Sequence, residues 1–270
     1  MRKILLATDL EEGAINVAAF ALTLADNFSA ELTCYHAYGK PNMSYTERSP
    51  EERAGLVEKK MQELMQPLMG RSSANTLVHY VADVDYPGDG IIDQVKDGDY
   101  DLVVIGLDKG SDGENQFSSL VYRVLREAPT SVLAIPPNTT FQAINEIVFA
   151  SDVDRSDEVV LEKLQDWRQK LTADLFVVHV YNDNEEKEHA RSIMARWRDR
   201  YASRPNIHFE LMAGEFEEDI SGYVKQRGGD LLVLQSHTRG FFGSIFNDSS
   251  AAELAQTVRV PLLVMRGEEK

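Results

Sequence analysis

The feature that most constrains this chain is an internal repeat. Lys3-Ile4-Leu5-Leu6-Ala7-Thr8-Asp9 reappears as Glu146-Ile147-Val148-Phe149-Ala150-Ser151-Asp152, an apolar run ending in a small residue, a hydroxyl and an Asp. Ala30-Glu31-Leu32-Thr33-Cys34-Tyr35-His36 reappears as Ala173-Asp174-Leu175-Phe176-Val177-Val178-His179. Both pairs share one offset, 143 positions from Asp9 to Asp152 and from His36 to His179. Further on, Asp101-Leu102-Val103-Val104-Ile105 matches Asp230-Leu231-Leu232-Val233-Leu234 at an offset of 129, and Ser131–Ile135 matches Pro261–Met265 at 130. Constant offsets over several segments mean two homologous halves. The fall from 143 to 129 puts 14 extra residues in the first copy after His36, expected in the polar stretch 39–52. Pro136-Pro137-Asn138-Thr139-Thr140 reads as a linker. The 270 residues therefore divide into domains expected at 1–138 and 144–270.

Each half reads as five strands alternating with four helices. Strands are expected at 3–8, 31–37, 77–82, 101–106 and 131–135, then at 146–151, 174–180, 207–212, 230–235 and 261–265. Their β-branched apolar runs suit strands covered on both faces. Between them, Ile15, Ala18, Ala19, Leu22 and Ala25 recur at helical spacing, as do Val159, Val160, Leu164, Trp167 and Leu171. Met61, Met65 and Met69 recur every four residues and are expected to face a core. This alternation predicts an α/β fold of two tandem doubly wound domains. Each holds a five-stranded parallel sheet flanked by helices.

Composition then excludes function classes. The chain carries 44 acidic and 28 basic side chains, a formal charge of −16. That balance opposes nucleic-acid binding, which depends on neutralising phosphates, and opposes an anionic membrane surface. The single cysteine, Cys34, rules out an internal disulfide and any Cys-based metal cluster. Inside an apolar strand it is expected to be an inert buried thiol. The short apolar opening ends at Asp9, and no stretch of about 18 apolar residues occurs. The expectation is a soluble cytoplasmic protein.

In doubly wound sheets, ligands bind beyond the carboxyl ends of the strands where the strand order reverses. Asp9 and Asp152 stand at the end of each first strand. Each is either a hydrogen-bond acceptor for a nucleoside or a cap or turn residue. The loop after the fourth strand runs Gly106-Leu107-Asp108-Lys109-Gly110 and on to Ser118-Ser119, with small residues able to present N–H groups to phosphate. Its second copy carries His237, Arg239 and the pair Phe241-Phe242. His36 and His179 occupy matching strand ends and read as structural. Gly88-Asp89-Gly90 reads as a turn, and the acidic runs Glu185-Glu186 and Glu217-Glu218-Asp219 read as solvated helix faces.

Taken together these segments resemble a tandem universal stress protein. Ile4–Asp9 is similar to the family's first strand and Ala30–His36 to its second. Ser118–Leu133 is similar to its closing helix, Ala-Pro turn and last strand, and Ser236–Gly240 to its Thr-His-Gly-Arg stretch. The resemblance implies an adenine nucleotide alpha hydrolase-like fold in each half. It also implies that the last strands of the two halves pair across a pseudo-two-fold axis, an intrachain counterpart of the dimer of one-domain members, with further dimerisation open. The family's nucleotide-binding members carry Gly-x2-Gly-x9-Gly-Ser/Thr in the fourth loop, where glycines let backbone approach phosphate. Here that pattern is eroded. Gly106 matches the first glycine, Lys109 takes the second position unless Gly110 substitutes through a shifted loop, and the last pair is Ser118-Ser119. In the second half Gln235, Thr238 and Asp248 stand at the glycine positions, followed by Ser249.

By resemblance, Asp9 meets an adenosine and Gly106, Lys109, Gly110, Ser118 and Ser119 the phosphates. The second-site counterparts are Asp152, His237, Arg239 and Ser249. ATP is the candidate ligand in the first half only, and no other cofactor or metal is expected. The leading expectation is a non-enzymatic stress-response regulator with eroded nucleotide sites. Its alternatives are an ATP-binding or weakly ATP-hydrolysing switch using the first half, and a nucleotide-independent scaffold for a protein partner.

Overall fold

The computed structural model describes residues 1–11, 13–38, 49–72, 76–109, 115–116, 119–137, 139, 141–154, 156–204, 206–236 and 259–267. The chain divides into two compact units, Met1–Phe141 and Gln142–Lys270. The first unit contains β1 (Lys3–Ala7), α1 (Ala14–Phe28), β2 (Glu31–Ala37), α2 (Pro50–Met69), β3 (Val78–Asp83) and α3 (Pro87–Gly98). It continues with β4 (Leu102–Gly106), a short hairpin of β5 (Asp108–Lys109) and β6 (Asn115–Gln116), α4 (Ser119–Glu127) and β7 (Ser131–Ile135). Its main sheet has the order β3-β2-β1-β4-β7, every pair parallel. The second unit contains β8 (Glu146–Ala150), α5 (Asp157–Leu171), β9 (Asp174–Tyr181), α6 (Asn184–Arg200), β10 (Ile207–Ala213), α7 (Phe216–Arg227), β11 (Leu231–Ser236) and β12 (Leu262–Arg266). Its order is β10-β9-β8-β11-β12, again all parallel. In each unit the order reverses beside the first strand, between β1 and β4 and between β8 and β11. Those are the switch points where a crevice opens.

The repeat is also a repeat of hydrogen bonds. Asp101 Oδ2 accepts from the N–H groups of Arg2 (2.6 Å) and Lys3 (3.0 Å), while Asp230 Oδ2 accepts from Asn145 (2.7 Å) and Glu146 (3.1 Å). Each Asp pins the start of the first strand beside the fourth. Ser29 (φ 54°) and Thr172 (φ 57°), also at matching positions, end α1 and α5 in the left-handed region. That conformation costs a non-glycine residue about 1–2 kcal/mol. Asp99 (φ 53°) has Gly228 (φ 75°) at its counterpart after α7, so one copy relieves the same strain with glycine.

Cores lie on both faces of each sheet. Ile4, Leu5 and Leu6 of β1 and Ile147, Val148 and Phe149 of β8 have no exposed surface, which is why these strands read as continuous apolar runs. Four sequence readings are corrected. Met61 and Met65 are fully buried, but Met69, the last residue of α2, is 41% exposed. In α1 Ala18, Leu22 and Ala25 are buried as read, together with Val17, Phe20, Ala21 and Leu24, but Ile15, in the first turn, is exposed. Gly88-Asp89-Gly90 is the first turn of α3 rather than a turn between elements. Gly90 is required there because a Cβ would overlap the Tyr35 hydroxyl. Pro50–Glu52, placed by the sequence in the polar insertion, open α2 instead. Ser49 and Glu52 form a reciprocal capping box. The rest of that insertion, 39–48, lies outside the described residues, as does 237–258.

Candidate functional site

The carboxyl ends of β1 and β4 frame a cavity of about 200 Å³ in the first unit. Its inner walls are apolar, with Ala14 and Val17 from α1, Ile91 from α3, and Ile105 and Leu107 around the end of β4. Polar groups sit toward β1 and β2, where Thr8, Asp9, Tyr35 and His36 line it. The turn after β1 is tightly built. Thr8 donates its N–H to the Tyr35 carbonyl (3.0 Å), and its own carbonyl accepts from His36 Nδ1 (2.7 Å). A carbonyl only accepts, so Nδ1 carries the proton of this bond. Thr8 Oγ1 accepts from the Leu10 N–H (3.1 Å), holding Leu10 at φ 63°. Asp9 Oδ1 accepts from the Glu11 N–H (3.0 Å). Asp9 is therefore a turn residue and not the α1 cap, which falls to Gly13 at φ 116° with no side-chain cap bond. Strained residues of this kind concentrate at ligand sites.

Gly106 shapes the inner wall. A Cβ there would come within 3.1 Å of Val17 Cγ2, closing β4 onto α1. The structure thus brings Asp9 and Gly106 to one cavity. Ser119 opens α4 and is exposed, and it does not line the cavity. Lys109 lies in the β5–β6 hairpin, with its side chain outside the described residues, where Gly110 and Ser118 also fall. The loop read as a phosphate cradle is a short antiparallel hairpin over its described part, which the sequence did not anticipate.

The second unit repeats the frame and alters the interior. Ser151 and His179 reproduce the strand-end contacts, with His179 Nδ1 donating to the Ser151 carbonyl (2.8 Å) and Ser151 Oγ accepting from the N–H of Val153 (3.0 Å, φ 60°). Ala14 becomes Asp157 and Gly106 becomes Gln235, both buried. Asp157 Oδ2 accepts from Ser151 Oγ (2.5 Å) and from the Val153 N–H (2.8 Å). Gln235 packs against Gly267, where a Cβ would meet its Nε2 at 2.9 Å. The cleft of about 200 Å³ that remains is lined by Ser151, Asp152, His179, Val180, Glu186 and Phe216, among others. The counterparts of Ala14, Val17 and Gly106 do not line it. Asp152 lies in this cleft, whereas His237, Arg239 and Ser249 fall outside the described residues.

The electrostatics of the two ends differ accordingly. Burial, and then the nearby Asp157, Asp154 and Glu186, push the Asp152 carboxyl up to about 8. Burial pushes Asp157 up to about 7 against the hydrogen bond from Ser151. Glu186, read as a solvated face, accepts from the Asn182 N–H (2.9 Å) and faces His179. Sequence reading noticed Gln235 only as a lost glycine and missed Asp157. Setting Ala14 against Asp157 at the common offset of 143 would have flagged it. Cys34 is buried, and burial raises its thiol to about 12. Among the described residues no group of three or more His, Cys, Asp or Glu is placed to hold a metal ion, and no helix is long and apolar enough to cross a membrane.

The model of the Universal stress protein family matches residues 1–136. Among solved structures, a universal stress protein from Archaeoglobus fulgidus DSM 4304 superposes with a TM-score of 0.76, covering 99% of this chain and 97% of that one at 15% identity. A Pseudomonas aeruginosa UCBPP-PA14 protein assigned to the same family gives 0.71 over 99% and 94%, at 18% identity. The cytoplasmic domain of a prokaryotic cation chloride cotransporter gives 0.61 over 99% and 97%, at 9% identity. Likeness at these identities carries the fold and nothing of the ligand. Among curated proteins, none matches the sequence.

Proposed function

This chain belongs to the universal stress protein family, and from that premise we infer that it is a non-enzymatic stress-response regulator with one nucleoside-sized site, in its first unit. The observation that carries this reading is the contrast between the switch points. Ala14 and Gly106 leave space in the first unit where Asp157 and Gln235 occupy it in the second. A slot walled by Val17, Ile91, Ile105 and Leu107 suits a planar apolar base, and Asp9 at the polar end suits a ribose hydroxyl. Among the described residues that line the cavity there is no Lys or Arg. The reading therefore commits to the adenosine part of an adenine nucleotide. The polar groups there are already engaged: Thr8 in the turn, Tyr35 with Asp83 (3.3 Å), and His36 with Thr8. That supports binding rather than turnover.

The test is to denature fresh protein, identify any released nucleotide by mass, and titrate Mg-ATP and adenosine calorimetrically. The expected result is one site per chain, weakened about ten- to a hundredfold by Asp9→Ala, since a hydrogen bond to a charged group contributes about 1.5–3 kcal/mol. Gly106→Val should abolish it. Two sites per chain, no uptake at all, or unchanged affinity in both variants would overturn the reading. Phosphate release on incubation would instead establish the hydrolysing switch.

A further inference from the structure

Among the described residues, the lining of the cleft in the second unit is rich in acceptors, beside the Asn182 amide. Asp152, Asp154 and Glu186 line it with carboxylates. In its uncharged form His179 adds the lone pair of Nε2, because Nδ1 then holds the ring's one proton toward the Ser151 carbonyl. The His179 side chain is more than nine-tenths buried, and its Nε2 makes no hydrogen bond. The nearest charged oxygen, Glu186 Oε1, stands 3.6 Å away. A buried ring nitrogen in this state calls for a partner. Phe216 closes another side of the cleft with a ring, a surface that attracts a cation but not an anion.

We propose that this cleft is a binding site for a small organic cation carrying N–H donors, an alkylammonium such as a short diamine. Its ammonium would donate to Asp152 and to His179 Nε2, with Phe216 against the methylenes. A metal ion fits less well, because no three of these ligand types converge closely enough to hold one among the described residues. Carboxylates spread around a cleft suit an extended dication with separated charges. The mutual repulsion of the acids supports the same reading. Asp152 retains a proton to about pH 8 through burial and its neighbours Asp157, Asp154 and Glu186. A bound cation relieves that repulsion and displaces the proton. The site differs from the one inferred in the first unit and does not depend on it.

The probe is 1,4-diaminobutane, titrated calorimetrically into the full chain at pH 7 and moderate salt in two buffers of different ionisation enthalpy. The expected result is one saturable site per chain with net proton release. Asp152→Asn and Glu186→Gln should each weaken it about tenfold, the loss of one charge-assisted contact. Glu63→Gln, an exposed acid on α2, should leave it unchanged, which separates a site from general attraction to an acidic protein. Thermal melts of each variant show whether the fold is kept. Absence of saturation, wild-type affinity in the Asp152 and Glu186 variants, or an equal loss in Glu63→Gln would overturn the proposal. Displacement of the diamine by Mg²⁺ at equal concentration would also overturn it, in favour of an inorganic cation.

Discussion

Replacing Asp157 with Asn removes one ionisable group from the interior of the second unit and nearly preserves its shape. Asp157 is fully buried, accepts from Ser151 Oγ and the Val153 N–H, and has its carboxyl raised from the ordinary 3.8 to about 7. Below about pH 3.8 the group is neutral in both the folded and the unfolded chain and contributes nothing. Between 3.8 and 7 the unfolded chain releases its proton while the folded chain keeps it. Folding then binds a proton, and stability falls as pH rises. Above 7 both are ionised and the full cost is in place. At 1.36 kcal/mol for each pH unit, the rise amounts to about 4 kcal/mol. Asp152 repels Asp157, so the two titrate as a pair and the Asn variant also lowers Asp152 toward its ordinary range. Urea denaturation of wild type and Asp157→Asn, followed at intervals from pH 4 to pH 8, measures the difference directly. The wild type should lose stability across that range, and the variant should lose markedly less, so the curves diverge upward in pH. Parallel curves would mean that Asp157 ionises in the folded chain as it does in water. The account of a second site filled by a largely neutral acid would then be wrong.

Three further perturbations test the packing argument. Gly90→Ala places a methyl on the Tyr35 hydroxyl and should cost about 1–3 kcal/mol; adding Tyr35→Phe should recover much of that in a denaturation double-mutant cycle. Arg227 lies 3.7 Å over the Phe176 ring, which stacks on His208, and pairs at 3.5 Å with both Glu146 and Glu210. Arg227→Ala should therefore lower stability by about 1–2 kcal/mol, with less effect in high salt, read as a shift in urea midpoint. Cys34, fully buried and with its thiol raised to about 12, should react with a thiol reagent only as fast as the chain unfolds; rapid labelling under native conditions would refute its burial.

What the sequence determined by itself was whatever repeats or alternates. The offset of 143 placed β1 against β8 and β2 against β9, and it carried structural detail with it, since the left-handed Leu10, Ser29, Val153 and Thr172 fall into matched pairs. Continuous apolar runs announced parallel strands covered on both faces, because burial on two sides leaves no alternation to see. Local hydrogen bonding was only partly legible. The Ser49–Glu52 capping box has a recognisable spacing, yet its residues were assigned to an insertion. Tertiary structure decided what depends on distance across the chain. Whether Asp9 caps a helix or closes a turn was settled by the geometry after β1, where its carboxylate meets Glu11 and Gly13 starts α1. How the second switch point differs from the first was decided by the burial of two side chains about 80 residues apart, Asp157 and Gln235. A carboxylate is a surface group in most sequence contexts, and only the enclosing fold, by removing its water, turns it into a buried acid that holds its proton.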